Sequence, residues 1–174
     1  TENQVLFSEV LKQKVPLLPE AAKLIADPQV RNRGTIGGDI AHGDPANDHP
    51  AIAMALDATF VLEGPNGQRK VKAVDFFHGT YMTAMAEDEI LVSIEVAPFA
   101  PKTGYAYHKL KRKTGDWATA AAAVVLQMSG GKVTHIAIGL TNVAPTASMP
   151  SASSGPCHQP LRSVAQPPAM RTPM

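Results

Sequence analysis

Apolar residues recur at helical spacing over residues 16–26, where Leu17, Leu18, Ala21, Ala22, Leu24 and Ile25 follow a proline start and predict one helix. Asp27-Pro28 closes it, because a residue ahead of proline is pushed out of the helical region. Residues 31–45 interrupt the pattern with glycines and polar side chains and read as a loop. Asn47-Asp48-His49-Pro50 sets capping side chains before a first-turn proline and starts a second helix over residues 50–56, with Asp48 as an expected cap. Strand chemistry follows: residues 58–62 and 69–71 flank the hairpin signal Pro65-Asn66-Gly67. Residues 74–77 read as a short helix or turn and residues 90–96 as a strand, and the prolines and glycine of 97–104 mark a boundary. Beyond it, residues 105–111, 118–128 and 132–141 read as three strands, the last two joined by Ser129-Gly130-Gly131. In the third, Thr134, Ile136, Ile138 and Leu140 alternate with smaller or polar residues, the pattern of a half-buried antiparallel strand. From Ala147 on, the Ser/Pro-rich sequence has no period and is expected to be disordered, since small and polar side chains bury too little surface to offset ordering entropy.

Composition narrows the classes of function. The 174 residues, 44% of them hydrophobic, suffice for one domain or two small ones with a real core. A net charge of +1 argues against binding nucleic acid or a membrane surface by bulk electrostatics. No apolar run reaches the length of a membrane span, the longest being residues 118–126, and the N-terminus lacks a signal pattern. Cys157 is the only cysteine, so the chain cannot build a disulfide framework, a Cys-rich zinc site or an iron–sulfur cluster. A cytoplasmic protein is expected, whose electron carrier, if any, is organic or sits on another subunit.

Gly34, Gly37, Gly38 and Gly43 fall within ten residues. Bare backbone of this kind either turns a tight connection or lets consecutive amides approach an anion such as a pyrophosphate. The spacing matches neither the Rossmann fingerprint nor the Walker loop, which disfavours an ordinary nicotinamide or ATP site. The basic run from Lys109 to Lys113 reads as a solvated strand face or a subunit interface, without the broader basic surface of a nucleic-acid binder. His42, Asp44, Asp48 and His49 lack a recognised metal-ligand spacing, and no metal site is expected. No Ser-His-Asp or Cys-His arrangement is found, so no catalytic nucleophile is assigned.

The segment Arg31-Asn32-Arg33-Gly34-Thr35-Ile36-Gly37-Gly38-Asp39-Ile40-Ala41-His42-Gly43-Asp44-Pro45-Ala46-Asn47-Asp48 closely resembles the second flavin-binding segment of the FAD subunit of the carbon monoxide dehydrogenase and xanthine dehydrogenase family. Two further stretches resemble the same family. Asp88-Glu89-Ile90-Leu91 looks like the pattern before the strand under the flavin, and Tyr107-His108-Lys109-Leu110-Lys111-Arg112-Lys113-Thr114-Gly115-Asp116-Trp117-Ala118 like the opening of the C-terminal domain. The resemblance covers roughly residues 15–146, with three motifs in the family's order.

That resemblance implies FAD as cofactor. Gly34, Thr35, Ile36, Gly37, Gly38 and Asp39 would form the segment that holds its pyrophosphate and ribitol region, with His42 near the phosphates. Asp48 would accept from a cofactor hydroxyl while capping its helix, and Ile90 and Leu91 would lie near the adenine or a ring edge. Ile25 and Trp117 would flank opposite faces of the isoalloxazine; each has the alternative of an ordinary core residue. Lys109, or else His108, would reach the ring's polar edge.

The expected fold class is α+β: a partial PCMH-type FAD-binding domain (residues 1–97), a small domain with a three-stranded antiparallel sheet (104–146) and a disordered tail (147–174). The family's first flavin loop is not found, and the chain, opening with Thr1-Glu2-Asn3-Gln4, is expected to be truncated at its N-terminus, with an atypical C-terminal tail. The implied function is electron transfer from iron–sulfur clusters through FAD to an acceptor. The implied partners are a large molybdopterin subunit and a small subunit carrying [2Fe-2S] clusters. The alternative is a fold-only fragment that makes subunit contacts without binding FAD.

Overall fold

The computed structural model describes residues 1–149; the expectation of disorder for 150–174, and Cys157 within it, lies outside the described residues. Six short helices come first: α1 (Glu2–Phe7), α2 (Glu9–Lys14), α3 (Leu17–Ala22), α4 (Pro28–Arg31), α5 (Ile36–His42) and α6 (Asp48–Ala55). Eight strands follow: β1 (Thr59–Gly64), β2 (Gly67–Lys72), β3 (Phe77–Gly79), β4 (Met82–Thr83), β5 (Ile90–Glu95), β6 (Thr103–Leu110), β7 (Ala120–Ser129) and β8 (Lys132–Thr141), with a 3-10 turn at Ala73–Asp75.

Helix-end chemistry explains most of the helices that periodicity misses. Thr1 and Gln4 form a capping box on α1, and Ser8 accepts from the Leu11 amide to cap α2. Asp27 accepts from the Val30 amide at 2.9 Å, so Asp27-Pro28 opens α4 and does not close the helix expected before it. The expected helix over 16–26 stops at Ala22. The carbonyls beyond it are taken from elsewhere: Leu24 by Lys111 Nζ at 2.9 Å, Ile25 by the Arg31 guanidinium at 2.8 Å.

The loop expected over 31–45 is largely helix. Thr35 caps α5 by accepting from the Gly38 amide at 3.0 Å, and Gly43, at φ +66°, ends it in the left-handed conformation. Two glycines inside cost about 1 kcal/mol each relative to alanine. The caps, and Ile40 with no exposed surface, offset that cost. Sequence spacing alone does not show that balance.

Two antiparallel three-stranded sheets, ordered β2-β1-β5 and β6-β7-β8, lie on either side of α6, and β3-β4 form a separate ribbon. All eight residues of α6 are buried. One core gathers Ile40, Met54, Phe60, Leu62, Phe76 and Phe77 around β1, with the three phenylalanine rings edge to face. The other joins Val15, Leu17 and Leu18 to Ile52, Leu56, Tyr107, Ala123 and Val125. The helices at the start of the chain therefore pack with the C-terminal sheet, across the boundary near 97–104.

The strand β8 corrects one expectation. Ala137, Gly139 and Thr141 face the core, whereas Ile136 is 52% exposed and Ile138 and Leu140 are half-buried. Size, not hydrophobicity, selects the face: a Cβ at Gly139 would overlap the Ala51 carbonyl of α6. The disorder expected from Ala147 is also corrected for the described residues. Ala147 is buried, and Ser148 exchanges backbone hydrogen bonds with Leu140 at 2.8 and 3.2 Å. Among the described residues no helix is long and apolar enough to cross a membrane.

Candidate functional site

A concavity of about 510 Å³ opens where the turn after α3, one face of α5, the start of α6, the end of β6 and the β6-β7 connection meet. Its volume is that of a small-molecule or cofactor pocket. Nine residues singled out by sequence line it together: Ile25, Gly34, Thr35, Gly38, Asp39, His42, Asp48, Lys109 and Trp117. They come from five separate places in the chain, so only the fold assembles them.

The remaining four do not join them. Ile36, Gly37 and Leu91 line a second groove of about 430 Å³ on the opposite side of α5, with Val5, Leu18 and Val92. Helical spacing divides the glycine segment: Thr35, Gly38, Asp39 and His42 share one face, and Ile36 and Gly37 turn away. Ile90 is 65% exposed and lines neither groove. Just before it, Glu89 receives a two-pronged hydrogen bond from Arg69 (2.6 and 2.7 Å) and one from the Ala86 amide. The Arg69 guanidinium, then that amide, hold the Glu89 carboxyl down at about 2.

Asp48 caps nothing; Asn47 occupies the N-cap position, without a side-chain cap bond, and Asp48 is the first residue of α6. Its carboxylate accepts from the buried Tyr107 hydroxyl and from Lys109 Nζ at 2.7 Å. Burial and the adjacent carboxylate push the Tyr107 phenol far above its ordinary range, so it stays a donor. Strand alternation puts Lys109 and His108 on opposite faces of β6: the lysine side chain is 1% exposed and lines the groove, and His108 is exposed. The run 109–113 is therefore not a uniformly solvated face; Lys109 is held by Asp48, and Lys111 donates to the Leu24 carbonyl.

Asn47 is the residue that sequence reasoning missed at the centre. Its amide nitrogen donates to the Asp39 carbonyl at 2.9 Å and meets His42 Nδ1 at 3.3 Å, while its oxygen accepts from Trp117 Nε1 at 3.3 Å. It ties α5 to α6 and anchors the one tryptophan. Trp117 is 64% exposed, which rules out a core anchor, whereas Ile25 is 9% exposed beside it. His42 also packs on the Tyr81 ring at 5.0 Å. Arg33, likewise missed, is exposed and gives the groove a cation.

Whether a dinucleotide fits can be judged from the bare backbone. A Cβ at Gly34 would stand 3.2 Å from the Val30 carbonyl oxygen, and one at Gly38 2.9 Å from Thr35 Oγ1. Gly34 is half-buried and Gly38 exposed, in no sheet, with open space beside them. The Gly34 and Gly38 amides already donate, to the Val30 carbonyl and the Thr35 hydroxyl, so these glycines offer close approach, and the arginine and exposed indole in the same groove suit a diphosphate with an aromatic head group.

Comparison with known proteins agrees with the motifs. Residues 1–99 match the family model "FAD binding domain in molybdopterin dehydrogenase", and residues 105–154 match "CO dehydrogenase flavoprotein C-terminal domain". The chain is 66% identical over 146 residues to the carbon monoxide dehydrogenase medium chain of Hydrogenophaga pseudoflava, covering 84% of this chain and 51% of that one. A solved structure of carbon monoxide dehydrogenase from the same organism superposes with a TM-score of 0.84 at 66% identity, over 85% of this chain and 52% of that one. Quinoline 2-oxidoreductase from Pseudomonas putida 86 superposes with a TM-score of 0.79 at 33% identity, over 86% and 52%. The chain spans about half the length of the curated relatives it matches.

Proposed function

The chain belongs to the FAD-binding medium-subunit family of molybdenum hydroxylases, and on that premise we propose that it forms part of the FAD site of an electron-transferring flavoprotein subunit in the cytoplasm. The single observation that carries the reading is the 510 Å³ groove in which nine residues singled out by sequence, from five places in the chain, converge. The parent assembly is of the carbon monoxide dehydrogenase type. A large molybdopterin subunit performs the substrate chemistry, and a small subunit's [2Fe-2S] clusters deliver electrons to this one.

Bound FAD supplies the redox chemistry and passes electrons to an acceptor. The chain's residues bind, orient and shield it. Gly34, Thr35 and Gly38 let a diphosphate lie against main chain, with Arg33 balancing its charge. Trp117, steadied by Asn47, offers ring area for stacking, and Ile25 offers apolar surface. Lys109, fixed on Asp48, brings a cation to the groove without leaving an unpaired charge in the interior. Ile36, Gly37 and Leu91, on the far side of α5, and the exposed Ile90 belong to the same cofactor's more distant contacts. The residue ranges 1–97 and 104–146 act as the flavin-binding and C-terminal parts.

FAD added to the purified chain is expected to stay bound through gel filtration, with quenched fluorescence and a shifted visible spectrum. Free flavin eluting separately, from a protein that is folded by circular dichroism, overturns the binding reading and leaves a fold that serves subunit contacts alone.

A further inference from the structure

His49 is the most deeply buried ionisable ring in the described structure, 1% exposed, and it takes no direct part in the groove. Its Nδ1 lies 2.8 Å from Asp39 Oδ2, and its backbone amide donates to the same oxygen at 3.2 Å. On the other side, Nε2 lies 3.4 Å from Glu2 Oε2. Glu2 is itself 3% exposed, and both of those facing atoms lack any hydrogen-bond partner. The rest of the ring's surroundings are apolar: Leu18, Ile36, Ile40, Ala53 and Leu56 line a void of about 10 Å³ beside it. Glu2 lies outside that void, on the wall of the groove.

Three carboxylates act on the ring: Glu2 on α1, Asp39 on α5 and Asp48 on its own helix. Asp48 is already neutralised by Lys109. Burial raises the Glu2 pKa and the charge of His49 opposes that rise; with Glu2 ionised, a carboxylate faces each ring nitrogen and favours a ring protonated on both. Burial alone would lower the His49 pKa, but the hydrogen bond and charge of Asp39, then the charge of Glu2, outweigh it and raise it.

We infer that His49 is a buried imidazolium that clamps Asp39 to Glu2 and so sets the carboxylate of Asp39 at the edge of the groove. The inference rests on the proposed FAD reading for its consequence in binding, but not for the charge state. Asp39 gives Oδ2 to His49 and keeps Oδ1 free of any hydrogen-bond partner among the described residues. A carboxylate held through one oxygen presents the other in a fixed direction, which makes His49 a positioning residue and not a ligand. Glu2 couples the same ring to the start of α1, whose Glu2 amide also donates to the Gly34 carbonyl at 3.0 Å. One network therefore fixes both ends of the glycine segment.

The sign of the pH dependence follows. With a raised folded-state pKa, the clamp is complete below that pKa and is lost as pH rises through it. FAD affinity is expected to fall on the alkaline side in the native chain.

The test has two arms on the full chain. In the first, ¹⁵N NMR of the His49 ring without cofactor should show both nitrogens protonated at pH 7. A single-proton tautomer, with the proton on Glu2 instead, overturns the inference. In the second, FAD is titrated by fluorescence quenching from pH 6 to 9 into the native chain, His49→Asn and Glu2→Gln. His49→Asn keeps a donor for Asp39 but no charge and should bind at least about tenfold more weakly, with the alkaline fall abolished. Glu2→Gln, a near-isosteric change that guards against misfolding, should move the fall to lower pH. Native-like affinity and pH profile in both folded variants overturn the positioning role. No FAD binding by the native chain overturns the proposed function instead, with the NMR arm still deciding the charge of His49.

Discussion

Gly38 and Gly139 are both bare main chain at a close approach, and their surroundings differ completely. Gly38 stands exposed at the groove, where an added Cβ meets only the hydroxyl that caps its own helix. Gly139 is buried under α6, where an added Cβ meets the Ala51 backbone. One position keeps a surface open for something outside the chain, and the other lets two of the chain's own elements touch. A glycine-dense motif draws attention to the first kind. The second sits alone in an alternating strand, invisible as a special position until the helix is seen against it.

The sharpest way to break this contrast is Gly139→Val. The clash is with backbone, which cannot rotate aside, so the cost should be on the order of 4 kcal/mol, above the usual range for overpacking. A thermal or urea melt measures it, and a native-like midpoint would show that α6 can lift off the sheet. Next is Asp48→Asn, which leaves the Lys109 ammonium buried without its counter-charge. A loss of about 3 kcal/mol is expected, visible in the same melts. Gly38→Val should cost less stability, about 1 kcal/mol from the disturbed Thr35 cap, yet remove most FAD affinity because a branched side chain enters the groove. Unchanged retention of FAD would put Gly38 in the same class as Gly139, as a structural glycine only. Trp117→Ala should change the melt by less than about 0.5 kcal/mol, since the ring is exposed. Its effect should appear in the fluorescence of bound flavin, and a large loss of folding would return the indole to the core.

Legibility from sequence followed the range of the physics. The hairpin at Pro65-Asn66-Gly67, the strand at 90–96, the three C-terminal strands and the α6 start were readable because turn residues, caps and alternation act within a few positions. The short helices α1, α2, α4 and α5 were not read, because none is long enough to establish a period. Their caps were present in the letters: Thr1 with Gln4, Ser8, Asp27 with Pro28, Thr35 with Gly43. At the site, the motif residues could be named, but Asn47, Tyr107, Glu2 and His49 could not be given their roles. Asn47 and His49 read as helix-start residues, and nothing in the local sequence singles out Glu2.

What the amino-acid order determined alone is local: which segments extend, where they turn, and which stretches of bare or polar backbone are set apart. Tertiary structure decided which face of β8 is inside, because only the approach of α6 makes small side chains the ones that fit. It decided too which side of α5 meets Trp117 and which meets Leu91, and that one buried ring stands between two carboxylates far apart in the chain. Packing distance and burial are relations between distant segments, and no short window of residues contains them.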